Sequence, residues 1–228
     1  EALSALLQER YQVIAADLLG HGGSDLRPAD LSIAAQADAV VEVLEDLRLE
    51  GIVLVGHSLG GSVSLRVAAS RPDLVSRLVL LSAGSYDYRF PTSWRIARFR
   101  AAWSLLGLVG GPGAIQRSLR LARVSTGASQ PSPDPLDTRE GWAALGRAFR
   151  QSANEASFVE MEEIVEHRLG HPALVVWGSE NRFLPATSAR VIFRGRKNVK
   201  FIEVAGAAHA VHEVEPAIVA DLIRDFLE

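Results

Sequence analysis

The chain has 228 residues, 48% of them hydrophobic and 22% charged, with a formal net charge of −3. That is the composition of a soluble globular protein with room for one large domain, or one domain carrying an insertion. No run approaches the roughly 20 apolar residues of a membrane helix. The mildly acidic balance argues against a dedicated nucleic-acid binder. The absence of cysteine removes disulfides, thiolate metal sites and cysteine nucleophiles together. The chain opens on Glu1 and its one methionine is Met161, so Glu1 is not a translation start and a longer parent chain is expected. No signal-peptide pattern is present, and a cytoplasmic location is expected.

Short apolar, β-branched runs alternate with longer amphipathic stretches, the pattern of a parallel sheet covered by helices. Residues 13–16 read as a buried strand ending in the polar, glycine-rich turn 17–25. Ser32 is placed to cap a helix whose Ile33, Ala37, Val40, Val41, Leu44 and Leu47 keep helical spacing. Strands follow at 52–55, 78–81, 173–177 and 199–204, with a helix over 63–69 after the first of these. Pro216 suits the first turn of a last helix through Ile218, Leu222 and Phe226. Near-continuous apolar strands, rather than alternating ones, predict a sheet covered on both faces. Between 85 and 170 no strand is evident, and helical spacing shows in Ile96, Phe99, Trp103 and Leu106 and again in Trp142, Leu145 and Phe149. This stretch reads as a helical insertion laid across the open end of the sheet.

The strongest local signal is Gly56-His57-Ser58-Leu59-Gly60-Gly61, between a strand and a helix. This is the G-x-S-x-G pattern in the strand–turn–helix context it requires. The serine must sit on a sharp, strained turn with its hydroxyl outside the sheet. Small residues two before and two after it are expected, because side chains there would collide with the neighbouring strand and helix. The following helix start offers the Leu59 N–H to negative charge developing on a carbonyl oxygen.

From these residues outward the chain resembles the α/β-hydrolase family over nearly all its length. Asp17-Leu18-Leu19-Gly20-His21-Gly22-Gly23-Ser24 is similar to the family's loop after the strand preceding the elbow strand. Arg77-Leu78-Val79-Leu80-Leu81 resembles the strand after the elbow helix, Val175-Val176-Trp177-Gly178 the strand leading to the acid, and Gly206-Ala207-Ala208-His209 the histidine loop. The resemblance implies an α/β fold, a mostly parallel sheet flanked by helices, with a core from 1–84 and 171–228 and a helical cap at 85–170. It also implies that a central strand and the loop carrying a second oxyanion donor lie upstream of Glu1. Residues 1–228 are therefore expected not to fold unaided as an active enzyme.

A base for Ser58 must come late in the chain and from another loop, in the order serine, acid, histidine. The resemblance assigns this to His209, with His212 falling where the family keeps a structural residue. His21 and His57 are expected beside the site, with Leu59 and His57 the candidate oxyanion and substrate contacts. His167 and His171 are expected at the surface or the cap junction. The acid loop Trp177-Gly178-Ser179-Glu180-Asn181-Arg182-Phe183-Leu184-Pro185 departs from the pattern, since Asn181 stands at the usual aspartate position. An amide accepts a hydrogen bond but supplies no charge to stabilise an imidazolium, and it favours the wrong tautomer. Three readings stay open: the acid is Asp87 or Glu180, Asn181 completes a weakened triad, or the chain keeps the pocket for binding alone.

The implied activity is hydrolysis of an ester, thioester or related carbonyl compound through an acyl-enzyme at Ser58. Carbon–carbon bond hydrolysis or perhydrolysis would use the same residues. Seven arginines (89, 95, 98, 100, 117, 120 and 123) and no acidic residue lie between 88 and 133. They read as a solvated helix face or as a lid attracting an anionic small molecule. No metal or organic cofactor is expected, because no His/Asp/Glu cluster has ligand spacing.

Overall fold

Four of the five expected strands pair into one parallel sheet in the order β1 (Ile52–His57), β2 (Val75–Leu81), β3 (Ala173–Gly178) and β4 (Val199–Val204). The structure, a computed structural model, describes residues 2–84 and 138–228. Asp87, the arginine run and the helical spacing from Ile96 to Leu106 lie outside the described residues. The fold is α/β, as the sequence pattern implies.

The apolar runs are continuous because successive side chains enter two different cores. Leu78, Leu80, Ala173, Val175 and Trp177 face a cluster built with α2 (Ile33–Asp46) and α3 (Leu59–Ser70). Val79, Leu81, Leu174 and Val176 face the opposite cluster, with α1 (Ala2–Gln8) and α8 (Pro216–Leu227). All six residues of β3 are buried. Each fully buried aliphatic side chain there stabilises the fold by roughly 1.5–3 kcal/mol. Helix α2 starts where the sequence placed it: the Ser32 hydroxyl accepts the Ala35 N–H at 3.3 Å.

Residues 13–16 are not a strand. They carry no ladder bonds, and Ile14 is 52% exposed. An apolar run becomes a strand only with a backbone partner, and none of the described residues pairs with this one. Val13 alone of the four packs on the core, in the cluster that Val53 also joins. β1 accordingly forms an edge of the described sheet, with Val55 40% exposed.

The described part of the expected cap begins with α4 (Arg139–Ser152) and α5 (Glu155–Glu163), followed by a π-helical turn (Ile164–Arg168). Thr138 caps α4 through the Gly141 N–H at 3.0 Å. Ala144 and Ala148 pack on Leu31. Gln151 holds the same segment by accepting the Leu31 N–H at 2.7 Å and donating to the Ala29 carbonyl at 3.0 Å. This leaves Leu145 and Phe149 facing the cavity above Ser58. Met161, Ile164, Val165 and Leu169 instead belong to the sheet core beside α3. The remaining helices are α6 (Ala186–Ile192) and the short α7 (Val211–Val214). Among the described residues no helix is long and apolar enough to cross a membrane.

Candidate active site

Ser58 lies between β1 and α3, as the N-cap of the helix, with φ 51° and ψ −117°, outside the regions comfortable for a residue with a Cβ. Such strain costs on the order of 1–3 kcal/mol and persists only where the surroundings fix it. Here they do. The Ser58 N–H donates to the Leu81 carbonyl at 3.0 Å, and the Ser58 carbonyl accepts from Gly84 at 2.9 Å and Gly61 at 3.0 Å.

The crowding that demands small residues is distributed differently from expectation. A Cβ on Gly56 would lie 2.3 Å from the Gly60 carbonyl oxygen, and one on Gly61 would lie 2.4 Å from the Ala83 Cβ. A Cβ on Gly60 meets nothing within 4 Å among the described residues. The helix carries Gly61, not Gly60, toward the turn after β2. Gly56→Ala is therefore expected to cost about 2–3 kcal/mol, while Gly60→Ala, in the first helical turn, is neutral or slightly stabilising. Urea unfolding midpoints of the two variants check the contrast.

His209 follows β4 and precedes α7. It is 3% exposed, and its Nε2 lies 3.0 Å from the Ser58 Oγ. Asn181, 5% exposed, sits in the turn after β3, with its Nδ2 3.1 Å from the His209 Nδ1. The structure thus brings Ser58, His209 and Asn181 into one hydrogen-bonded row. Glu180 is exposed beside buried Asn181.

The direction of these bonds follows from a contact the sequence did not reveal. The Leu184 backbone N–H, which can only donate, reaches the Asn181 Oδ1 at 2.9 Å. The Leu184 carbonyl is itself held by the Trp177 indole N–H at 2.7 Å. With its oxygen engaged, Asn181 turns its NH2 toward His209, so Nδ1 must be an acceptor. Turning the amide over would leave two donors face to face at Leu184, at a cost of about 1–3 kcal/mol. The neutral ring then carries its proton on Nε2 and donates it to Ser58. Every proton in the row points toward the serine, the reverse of what a general base needs.

Burial, with a smaller contribution from His212, pushes the His209 imidazole down to about 3. Burial also holds His57 well below the usual histidine range, helped by His209 and His212. The three rings form a tilted group with His57 in the middle, its centroid 4.8 Å from that of His209 and 4.5 Å from that of His212. Among the described residues no group of three His, Cys, Asp or Glu could hold a metal ion.

A model of the alpha/beta hydrolase family matches residues 1–222. The chain belongs to that family. An uncharacterized protein of Mycobacterium tuberculosis is 30% identical over 237 residues, covering 98% of this chain and 70% of that protein. A 2-(acetamidomethylene)succinate hydrolase of Mesorhizobium japonicum is 26% identical over 235 residues, covering 100% of this chain and 82% of that enzyme. A thermophilic esterase from Thermogutta terrifontis, solved with malate bound, shares the fold with a TM-score of 0.75 at 23% identity, over 99% of this chain and 83% of that one.

In this alpha/beta hydrolase family member Ser58 opens into a cavity of about 580 Å³. Its described lining is mostly apolar and includes Leu145, Phe149, Phe158, Phe183, Leu184 and Val63. His21, His57 and Leu59 also reach it, and no charged side chain does among the described residues. His21 enters from the 17–25 turn, which buried Gln36 anchors by bonding both the N–H and the carbonyl of Leu19. His167 is exposed, and His171 lies near the Pro72 carbonyl. Phe158 and Phe183 were not singled out from sequence. Phe183 packs edge-on to His209 with ring centroids 4.9 Å apart, and only its position in the acid loop hinted at that.

Proposed function

We propose that this chain is a serine hydrolase acting on an uncharged, largely apolar ester, thioester or related carbonyl compound through an acyl-enzyme. The observation that carries the reading is the 3.0 Å approach of the His209 Nε2 to a Ser58 Oγ held on a strained turn at the cavity. The Ser58 oxygen attacks the carbonyl carbon as its proton passes to the His209 Nε2. The Leu59 N–H, in the first helical turn where amides lack helical partners, meets the oxyanion. His209 then protonates the departing alcohol or thiol, and water repeats the sequence on the acyl-serine to release the acid.

This requires the Nε2 to be free and the ring proton to sit on Nδ1, facing an acceptor. Asn181 offers one only by turning its Oδ1 away from the Leu184 N–H. The reactive arrangement is therefore a minor state, and turnover is slow. Asp87 remains the alternative acid from sequence. The described lining supports an uncharged substrate, because a carboxylate there would be desolvated without a cation from any of the described residues. The Mesorhizobium relative, by contrast, is named for a succinate derivative.

One observation favours a second reading, a binding protein without turnover. With His209 donating to it, Ser58 keeps its own O–H free for a ligand's carbonyl. Comparing p-nitrophenyl butyrate with p-nitrophenyl hemisuccinate, in the native chain and Ser58→Ala, tests both readings. The hydrolase reading expects butyrate hydrolysis that Ser58→Ala abolishes, with the hemisuccinate at least about tenfold slower. Equal background rates in both proteins, alongside saturable binding of a ketone analogue, would establish the binder instead.

A further inference from the structure

His57 directly precedes the serine, yet its ring turns to the histidine loop. Its Nε2 lies 3.1 Å from the backbone carbonyl oxygen of His209. A carbonyl only accepts, so the His57 Nε2 carries the proton and donates it. The ring lies tilted against both His209 and His212, at interplanar angles of 51° and 52°. His209 is thus gripped twice from adjacent residues: by its side chain through Ser58, and by its backbone through His57.

We propose that His57 is a positioning residue that fixes the His209 imidazole against the Ser58 hydroxyl by holding the His209 backbone carbonyl.

Position in the chain makes this grip effective. His57 and Ser58 are joined by one planar peptide, so the two contacts cannot drift independently. Two backbone ties act earlier in the histidine loop. Gly206 donates to the Ser179 hydroxyl at 2.9 Å, and the Ala207 carbonyl accepts from Glu180 at 2.9 Å. Both hold the loop to the end of β3. The His57 bond ties the main chain of residue 209 itself to the elbow strand. Because Nε2 is committed to that carbonyl, His57 acts on the base and not on the substrate's oxyanion, the role its place in the sequence suggests. A shift of the base by about 1 Å costs on the order of 10²-fold in reactivity. His57→Phe keeps the ring and removes the donor, whereas His57→Gln restores an N–H at nearly the same reach.

The proposal rests on the serine-hydrolase reading for its kinetic consequence, but its geometry is testable separately. Rates of Ser58 modification by an ethoxy fluorophosphonate are measured across probe concentrations in the native chain, His57→Phe and His57→Gln. Amide hydrogen exchange over 207–211 is followed in the same three proteins. His57→Phe is expected to lower the maximal modification rate by about 10²-fold with little change in half-saturation, and to speed exchange in the loop. His57→Gln recovers most of both. Equal modification rates and equal exchange in all three overturn the proposal. If the native chain is not modified at all, the nucleophile reading falls, and loop exchange with its rescue by glutamine decides the His57 role alone. Should His57→Phe fail to fold, the imidazole ¹⁵N spectrum of the native chain is decisive: His57 must be the Nε2–H form, and an Nδ1–H form contradicts the proposal.

Discussion

Replacing Asn181 by aspartate is expected to raise kcat/KM for a p-nitrophenyl ester by about 10³–10⁴-fold, roughly 4–5.5 kcal/mol of barrier. The substitution changes almost no volume. One carboxylate oxygen keeps the Leu184 N–H that Oδ1 now accepts at 2.9 Å. The other replaces the NH2 lying 3.1 Å from the His209 Nδ1 and converts that contact from donor to acceptor. His209 then carries its resting proton on Nδ1, Nε2 is free to take the serine proton, and the imidazolium gains a counter-charge. Its pKa climbs from about 3 toward the ordinary histidine range. The native chain should therefore show a flat pH–rate profile between pH 5 and 8, and Asn181→Asp an acid limb near neutrality. Steady-state rates over that range check both parts. No gain in Asn181→Asp, together with loss of activity in Asp87→Asn, would move the acid role to Asp87.

Acid should destabilise the native fold well before its carboxylates are protonated. His57, His209 and His212 are all held below the usual histidine value of 6.5, in each case chiefly by burial. In the unfolded chain the same rings take up protons near 6.5, so below that pH the unfolded state binds more protons. Stability is complete above 6.5 and falls progressively as pH drops toward the folded value of about 3 for His209. Taken over the whole window, His209 alone represents a loss of roughly 5 kcal/mol. Asp30 and Asp73, whose pKa values are lowered by Ser32 and Arg71 hydrogen bonds, act only below their ordinary value of 3.8. The two effects therefore separate in pH. The urea midpoint should fall steadily from pH 7 to pH 4.5, and fall less in Asn181→Asp, where His209 accepts a proton more readily. A midpoint constant over that range would mean the imidazoles are not held neutral as described.

The sheet was readable because a strand covered on both faces carries apolar side chains along its buried length, as β3 and the 78–81 stretch of β2 show. Residues 13–16 carry the same composition without being a strand, since composition records burial preference and not the presence of a backbone partner. The elbow was readable for a related reason. A strained serine between close-packed backbone segments leaves glycine in the sequence, although which glycine is crowded depends on the helix phase and emerged only in three dimensions. Asn181 could be placed by register alone. The direction of its amide could not, because it is set by the backbone N–H of Leu184, a group every residue but proline possesses. The His57 contact was hidden in the same way, its partner being the main-chain carbonyl of His209. Side-chain chemistry at the site was legible in sequence; the main-chain contacts that orient it were not.

The tautomer of His209 at pH 7 tests the central claim most directly, and a ¹⁵N-resolved imidazole spectrum of the native chain reports it. A proton on Nε2, with Nδ1 unprotonated and accepting from Asn181, is the predicted result, and Asn181→Asp should move that proton to Nδ1. A native His209 already protonated on Nδ1 would contradict the account, because Asn181 would then be serving as the acceptor that its bond to Leu184 forbids.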